Sequence, residues 1–193
     1  VGIFERSIIN PSDEVHIGDN VGIGGDVMIW THGAWLDVTK GFPADFGPVK
    51  IGNNVWLPAR CIVLPNVSIG DNTVIGIGST VNKSIPSGSL AAGSPCRVIK
   101  ENYYPKNLTE SEKENIVCGI LGDWYTLHER KGINVKSKYV DGQIILIQGD
   151  NQTIYDVNEK IMFGYENDVS EDLRDYLRRR GIKIFTDKPF KSI

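Results

Sequence analysis

The chain has 193 residues, a mass of 21.4 kDa and a formal net charge of −3 at pH 7. This charge and the lack of any run of Lys and Arg disfavour nucleic-acid binding, and no apolar run is long enough to span a membrane. The three cysteines are odd in number and widely spaced, so we expect reduced thiols, no metal site and a cytoplasmic protein.

A six-residue spacing of aliphatic residues dominates the first half of the chain. One series comprises Ile17, Ile23, Ile29, Ile51, Leu57, Val63, Ile69, Ile75 and Val81, and a second comprises Ile3, Ile9, Val15, Val21, Val27, Val55, Cys61 and Val67. A period of six matches neither an α-helix nor a simple strand, but it is typical of a parallel β-helix, whose stacked hexads bury a continuous core. An antiparallel sandwich is disfavoured because the phase is unbroken from Ile51 to Val81.

Glycines and Asp-Asn pairs mark the corners of the predicted coil. A glycine follows five residues of the first series, and pairs such as Asp19-Asn20 and Asp71-Asn72 come next. We interpret both as residues that tolerate the unusual backbone angles of a tight corner. The chain therefore predicts a mainly β fold, with a β-helix over residues 1–100.

The repeat is interrupted between Ile29 and Ile51, where we predict an inserted loop at residues 31–50. This loop contains a histidine, two acids and several aromatic residues. Long loops in compact folds are uncommon and usually functional. The loop is therefore the first place to look for a site.

After residue 100 the hexads stop, and residues 101–193 read as a small α+β module of unknown role. Thr109 and Glu112 resemble a capping box at the start of a helix with an apolar stripe. Further predicted elements are strands at 143–148, 153–157 and 160–164, a helix at 170–180 capped by Ser170, and a last strand at 182–186.

Three segments of the coil resemble the hexapeptide-repeat acyltransferases, in particular their acetyltransferase branch. They are Ile51-Gly-Asn-Asn-Val-Trp-Leu-Pro-Ala, the hexads from Ile69 to Val81, and Ala91-Ala-Gly-Ser-Pro-Cys-Arg-Val-Ile-Lys100. The resemblance covers roughly residues 15–100. It implies a left-handed parallel β-helix, a homotrimer with its sites at subunit interfaces, and acetyl-CoA as the donor.

The same resemblance makes His32 the general base. An imidazole, which titrates near neutrality, is suited to removing a proton from an attacking hydroxyl or amine. Asp37, Asp45 or a backbone carbonyl could orient the ring. Trp35, Asp37, Phe42 and Phe46 are candidates for the acceptor site, although the rings could equally anchor the loop on a neighbouring coil. The two other histidines, His16 and His128, are expected to be solvated.

By the same resemblance, eight residues bind acetyl-CoA. They are Trp56, Ala59, Gly76, Gly78, Ser79, Ala92, Gly93 and Arg97. Small residues would let the pantetheine arm pass close to the backbone, and a cation at position 97 could meet the nucleotide phosphates. Glycine and alanine also serve coil corners whatever the chain binds.

The expected function is transfer of an acetyl group from acetyl-CoA to a hydroxyl or amine of a sugar or glycan precursor, as in polysaccharide biosynthesis. Small antibiotics are alternative acceptors of the same reaction. A different interpretation is a non-catalytic trimeric scaffold, in which residues 101–193 recruit a partner.

Overall fold

The computed structural model describes residues 1–129 and 135–188. The chain divides into two compact units, Val1–Lys106 and Asn107–Ile193.

The boundary between the units falls six residues beyond the predicted position at residue 100. The reason is a pair of backbone hydrogen bonds, because the N–H groups of Tyr103 and Tyr104 both donate to the carbonyl of Gly88. These bonds tie the linking segment to the coil.

The first unit, all of which is described, consists almost entirely of short strands. In chain order β1 to β15 span Gly2–Ile3, Ile8–Asn10, Val15–Ile17, Gly22–Ile23, Met28–Trp30, His32–Ala34, Ala44–Phe46, Val49–Ile51, Trp56–Leu57, Ile62–Val63, Ser68–Ile69, Val74–Ile75, Thr80–Val81, Leu90–Gly93 and Cys96–Lys100. A single 3-10 turn, Val38–Lys40, lies between β6 and β7.

Three sheets of stacked strands form the faces of the coil. Face A has the order β1-β4-β9-β12-β14, face B has β2-β5-β10-β13, and face C has β3-β8-β11, all paired in parallel. The chain visits A, B and C in turn, and it closes with β15, which is antiparallel to β14 on face A. This is the parallel β-helix that the six-residue period predicts.

Apart from Ile3, which is exposed, both aliphatic series point into one continuous core. The first series lies on the faces: Ile23 stacks on Leu57 on face A, and Ile29 stacks on Val63 on face B. From Val21 onward the second series fills the corners, for example Cys61 at the corner between faces A and B (corner AB). Ile3 and Ile9, which the sequence assigned to this series, lie on faces A and B instead and pair with Ile23 and Ile29, because the first rung is two residues longer than three hexads. Burial of each such side chain contributes about 1.5–3 kcal/mol, and stacking makes these contributions cumulative.

At the corners, the predicted role of the asparagines is confirmed and that of the glycines is wrong. Asparagines do adopt the left-handed conformation, with φ of 55° at Asn54 and 56° at Asn72, and their side chains form a ladder in which Asn54 Nδ2 donates to Asn72 Oδ1 at 3.0 Å. The glycines after the first series do not have that backbone conformation. They are needed for close stacking instead, since a Cβ on Gly24 would lie 2.6 Å from the nitrogen of Ala59 in the next rung.

The described part of the second unit contains two helices and an antiparallel sheet. The elements are α1 (Glu110–Glu129), β16 (Lys136–Val140), β17 (Gln143–Gln148), β18 (Asn151–Asp156), β19 (Ile161–Gly164) and α2 (Asp168–Arg179). The strands pair in sequence order as a meander. Their buried side chains form a core with both helices, which includes Trp124, Leu146, Tyr155 and Leu173.

Several local predictions for this unit can be compared with its structure. The capping box at Thr109 and Glu112 is confirmed, since the Thr109 N–H donates to the Glu112 carboxylate at 2.8 Å. The N-cap of α2 is Asn167 rather than Ser170. Ser170 is the third residue of the helix and completes a capping box with Asn167. The predicted last strand is reduced to one bridge between Ile161 and Phe185, and β16 was not predicted.

The expectation that His128 is solvated is wrong. Its side chain is 2% exposed, stacks on Trp124 with 4.2 Å between ring centroids, and has Nε2 2.8 Å from a carboxylate oxygen of Asp172. The apolar stripe of α1 continues to its last turn and packs this ring against α2. His16, in contrast, is exposed beside Glu14, as expected.

Candidate active site

The inserted segment folds as a β-hairpin at corner BC of the coil. Strands β6 and β7 pair in antiparallel register, with His32 opposite Phe46. Stacked corner residues are 18 positions apart in uninterrupted rungs but 34 apart across this segment, so the hairpin accounts for the additional chain. The predicted loop at 31–50 is therefore structured, and its last two residues already belong to β8 on face C.

One hydrogen bond determines which nitrogen of His32 can act as a base. Nδ1 of the half-buried His32 lies 3.1 Å from Oδ1 of Asn10, which ends β2 in the preceding rung. The same oxygen accepts from the backbone N–H and the hydroxyl of Ser12, at 3.2 Å and 2.9 Å. A backbone N–H can only donate, so this amide atom is an acceptor and Nδ1 must carry the proton. Nε2 is left with its lone pair, as a general base requires.

Neither acid predicted to orient His32 does so. Asp37 caps the 3-10 turn and accepts from the backbone N–H and the hydroxyl of Thr39, which lowers the pKa of its carboxyl. Asp45 accepts from the side chain of Asn66 at 2.9 Å. Sequence reasoning missed Asn10, because the first rung is two residues longer than three hexads and Asn10 therefore pairs with Trp30, two positions before His32.

Two aromatic rings, one from β5 and one from the hairpin, flank the imidazole. Trp30 meets the His32 ring edge-on, with 6.0 Å between ring centroids. Phe46 stacks on the imidazole, with 5.8 Å between ring centroids and 28° between the ring planes. Trp35 is 94% exposed, and Phe42 is also exposed. Trp35 borders an open depression of about 300 Å³, which is also lined by Gly33, Ala34, Leu36 and Pro43. The hairpin thus presents apolar surface beside its histidine.

The residues predicted to bind the donor gather elsewhere on the chain. Trp56 points outward from face A and is 57% exposed. Ala59 follows at corner AB, and the N–H of Gly78, one rung on, donates to its carbonyl at 3.1 Å. Ala92 stacks on Gly76, where an added Cβ would lie 2.6 Å from the Ala92 Cβ. The structure therefore brings this group together at corner AB, whereas His32 projects from corner BC.

The side chains of two members of this group form hydrogen bonds within the chain. Ser79 is completely buried, and its hydroxyl donates to the carbonyl of Gly76 and accepts from the N–H of Gly93. Its side chain therefore maintains the corner and is not presented to a ligand. Arg97 has one guanidinium nitrogen bonded to the carbonyl of Cys96 at 2.7 Å.

A cationic cluster that sequence reasoning missed follows Arg97. The ammonium groups of Lys100 and Lys106 lie 4.4 Å and 4.5 Å from the ring centre of Tyr103. A hydrogen bond with Lys106 and the charges of both lysines lower the pKa of the Tyr103 hydroxyl. The available signal was the pair Tyr103-Tyr104 between the basic residues Lys100 and Lys106.

No helix among residues 1–129 and 135–188 is long and apolar enough to cross a membrane. Within the same residues, no cluster of three His, Cys, Asp or Glu side chains has an arrangement that could hold a metal ion.

Comparison with known proteins identifies the repeat. The bacterial transferase hexapeptide family, described as six repeats, matches residues 48–83, which confirms the resemblance for that part of the chain. The galactoside O-acetyltransferase of Escherichia coli (strain K12) is 46% identical over 101 residues, which are 48% of this chain and 50% of the relative. The chain spans half or less of the length of the curated relatives it matches.

Two solved structures are similar over about half of this chain. A galactoside acetyltransferase in complex with coenzyme A has a TM-score of 0.46 and 40% identity, over 53% of this chain and 56% of that one. A maltose O-acetyltransferase from Clostridium difficile 630 has a TM-score of 0.41 and 33% identity, over 50% and 64% of the two chains.

Proposed function

We propose that this chain is an acetyltransferase that moves the acetyl group of acetyl-CoA to a hydroxyl or amine of a sugar or glycan precursor. The observation that carries the proposal is the hydrogen bond between Nδ1 of His32 and Asn10, which leaves Nε2 free to accept a proton. The left-handed winding of the β-helix belongs to the same proposal, and it is supported by the hexapeptide repeat at residues 48–83.

The reaction needs one base and one positioned thioester. As the acceptor oxygen or nitrogen attacks the acetyl carbonyl, its proton passes to Nε2 of His32. The bond between carbonyl carbon and sulfur then breaks, and the departing thiolate takes the proton back from the imidazolium. A base of this kind contributes about 10²–10⁴-fold to the rate, and positioning of the reactants contributes much of the remainder.

A second copy of the chain completes the site in this proposal. The candidate donor residues lie at corner AB and His32 lies at corner BC, which are different edges of one coil. Neighbouring copies in a homotrimer would bring one edge against the other. The exposed side chains of Trp56 and Ile77 would be covered in such a contact.

The donor and acceptor would use different chemical features of the chain. Arg97, Lys100 and Lys106 supply positive charge for the phosphates of CoA, next to the end of the coil. The exposed rings of Trp35 and Phe42 offer flat apolar surface to the faces of a sugar. The similarity to a galactoside O-acetyltransferase supports the choice of acceptor class.

The decisive experiment compares His32→Ala with His16→Ala. Release of CoA is measured with galactosides, maltose and amino sugars as acceptors, and donor binding is followed by the thermal shift that CoA produces. His32→Ala should lower turnover by about 10²–10⁴-fold without loss of the CoA-induced shift. His16 is exposed on the same coil and bonds to Glu14, so its variant should retain activity. Equal activity of the two variants would remove His32 from the reaction.

A further inference from the structure

Asn66 connects the coil to the hairpin that carries His32. It lies at corner BC in the rung after the hairpin and has the left-handed conformation, with φ of 61°. Its side-chain Nδ2 donates to Oδ1 of Asp45 at 2.9 Å and to the carbonyl of Phe46 at 3.0 Å. The fit is tight, since a Cβ on Gly47 would lie 1.8 Å from Asn66 Oδ1.

The residue that Asn66 holds is the one that covers the imidazole. Phe46 is the register partner of His32 in the hairpin, and its ring stacks on the imidazole. Asn10 fixes the other side of the ring through Nδ1, from the preceding rung. The imidazole is therefore held between one rung above the hairpin and one rung below it.

The side-chain contacts of Asn66 differ from those of the other corner asparagines. At corner CA, Asn54 and Asn72 bond to one another along the coil axis, which stabilises the corner itself. Asn66 uses its amide donor group on the hairpin instead. Glycine would satisfy the same left-handed backbone, so the carboxamide serves the hairpin rather than the turn.

We infer that Asn66 is a positioning residue for His32, which acts by fixing Phe46 against the imidazole. This inference rests on the proposed role of His32 as the base. A displacement of about 1 Å at a reacting group can cost up to roughly 10²-fold in rate. Loss of the Asn66 carboxamide is accordingly expected to reduce kcat/KM for the acceptor by roughly 10- to 100-fold, with the KM for acetyl-CoA unchanged.

The test compares Asn66→Gly with Asn72→Gly. Both variants keep a residue suited to positive φ and remove one carboxamide, but only the first touches the hairpin. Steady-state kinetics are measured with acetyl-CoA and p-nitrophenyl β-galactoside, maltose or glucosamine as acceptor probes. Equal losses in the two variants would overturn the inference.

A double variant separates positioning from a general structural effect. If Asn66 acts through His32, then Asn66→Gly should cause no further loss in a His32→Ala background. The same fractional loss in both backgrounds would overturn the inference. If His32→Ala alone is as active as the unmodified chain, the proposed base fails instead, and the two failures are thereby distinguished.

A spectroscopic measurement tests the geometry without any acceptor. The chain has three histidines, so a spectrum of the protein with ¹³C-labelled histidine resolves few signals, and His32→Ala assigns one of them. Asn66→Gly should shift the His32 signal, because the stacked Phe46 ring moves, while Asn72→Gly should leave it in place. An unchanged His32 signal in Asn66→Gly would overturn the inference.

Gly47→Ala provides a second route if Asn66→Gly does not fold. The added methyl group must displace the Asn66 side chain, so this variant should shift the same His32 signal. Gly2→Ala is its control, since nothing lies within 4 Å of the added group there. A His32 signal that remains unshifted in folded Gly47→Ala would also overturn the inference.

Discussion

Replacement of Asn10 by Ala removes the acceptor that keeps the proton on Nδ1 of His32. A hydrogen bond of this kind contributes about 0.5–1.5 kcal/mol net, and 1.36 kcal/mol corresponds to a factor of ten. The preference for the reactive tautomer and ring orientation should therefore fall by about 2- to 13-fold. We expect the same fall in kcat/KM for the acceptor, far smaller than the effect of His32→Ala.

Asn10→Asp is the matched control, because a carboxylate also accepts from His32 Nδ1 and from Ser12. It should retain most of the activity that Asn10→Ala loses, measured as CoA release at saturating acetyl-CoA. If Asn10→Asp is as impaired as Asn10→Ala, or if neither variant is impaired, then the hydrogen bond does not select the tautomer. A loss as large as that of His32→Ala would instead mean that Asn10 contacts the reacting groups.

Three further outcomes follow from burial. Leu57→Ala should lower the free energy of unfolding by about 2–5 kcal/mol in a urea titration, because Leu57 is completely buried. A change below about 1 kcal/mol would contradict that packing. In the native state a thiol reagent should modify exposed Cys118 rapidly. Burial raises the pKa of the Cys61 and Cys96 thiols, so both should stay unmodified until the chain unfolds. Fast modification of all three thiols would refute this. Burial also raises the pKa of Tyr155 well above 10.0, so with rising pH the unfolded chain loses the hydroxyl proton at a lower pH than the native chain does. The free energy of unfolding should therefore fall above about pH 10, and it should fall less steeply in Tyr155→Phe.

The faces and core of the coil could be predicted because the period of six encodes them directly. Once Ile51 is assigned to the interior, Leu57 and Val63 follow on successive faces. The repeat did not reveal the two extra residues of the first rung, which place Ile9 opposite Ile29. The reason for the glycines was not accessible in the same way. Close approach between rungs, as at Gly24, depends on the distance between backbones that are far apart in sequence.

For the candidate site, the sequence singled out His32 but not its hydrogen-bond partner. His32 was chosen because it lies where the repeat breaks, whereas Asn10 belongs to an earlier rung and carries no motif of its own. The acids nearest in sequence, Asp37 and Asp45, form local and anchoring hydrogen bonds instead. Burial of His128 was missed for a similar reason, since its partner Asp172 is on another helix.

The hairpin enters and leaves the coil at one corner, and this has a consequence for how the chain can change. On face A, Gly22 pairs in parallel with Trp56 although the insertion lies between them in the sequence. Trp56 pairs in the same way with Val74 in the next rung, where there is no insertion. Substitution, lengthening or exchange of residues 33–44 would therefore leave the rungs in register. Evolution or protein engineering can therefore vary the surface beside His32 at this one edge while the coil that supports it keeps its packing.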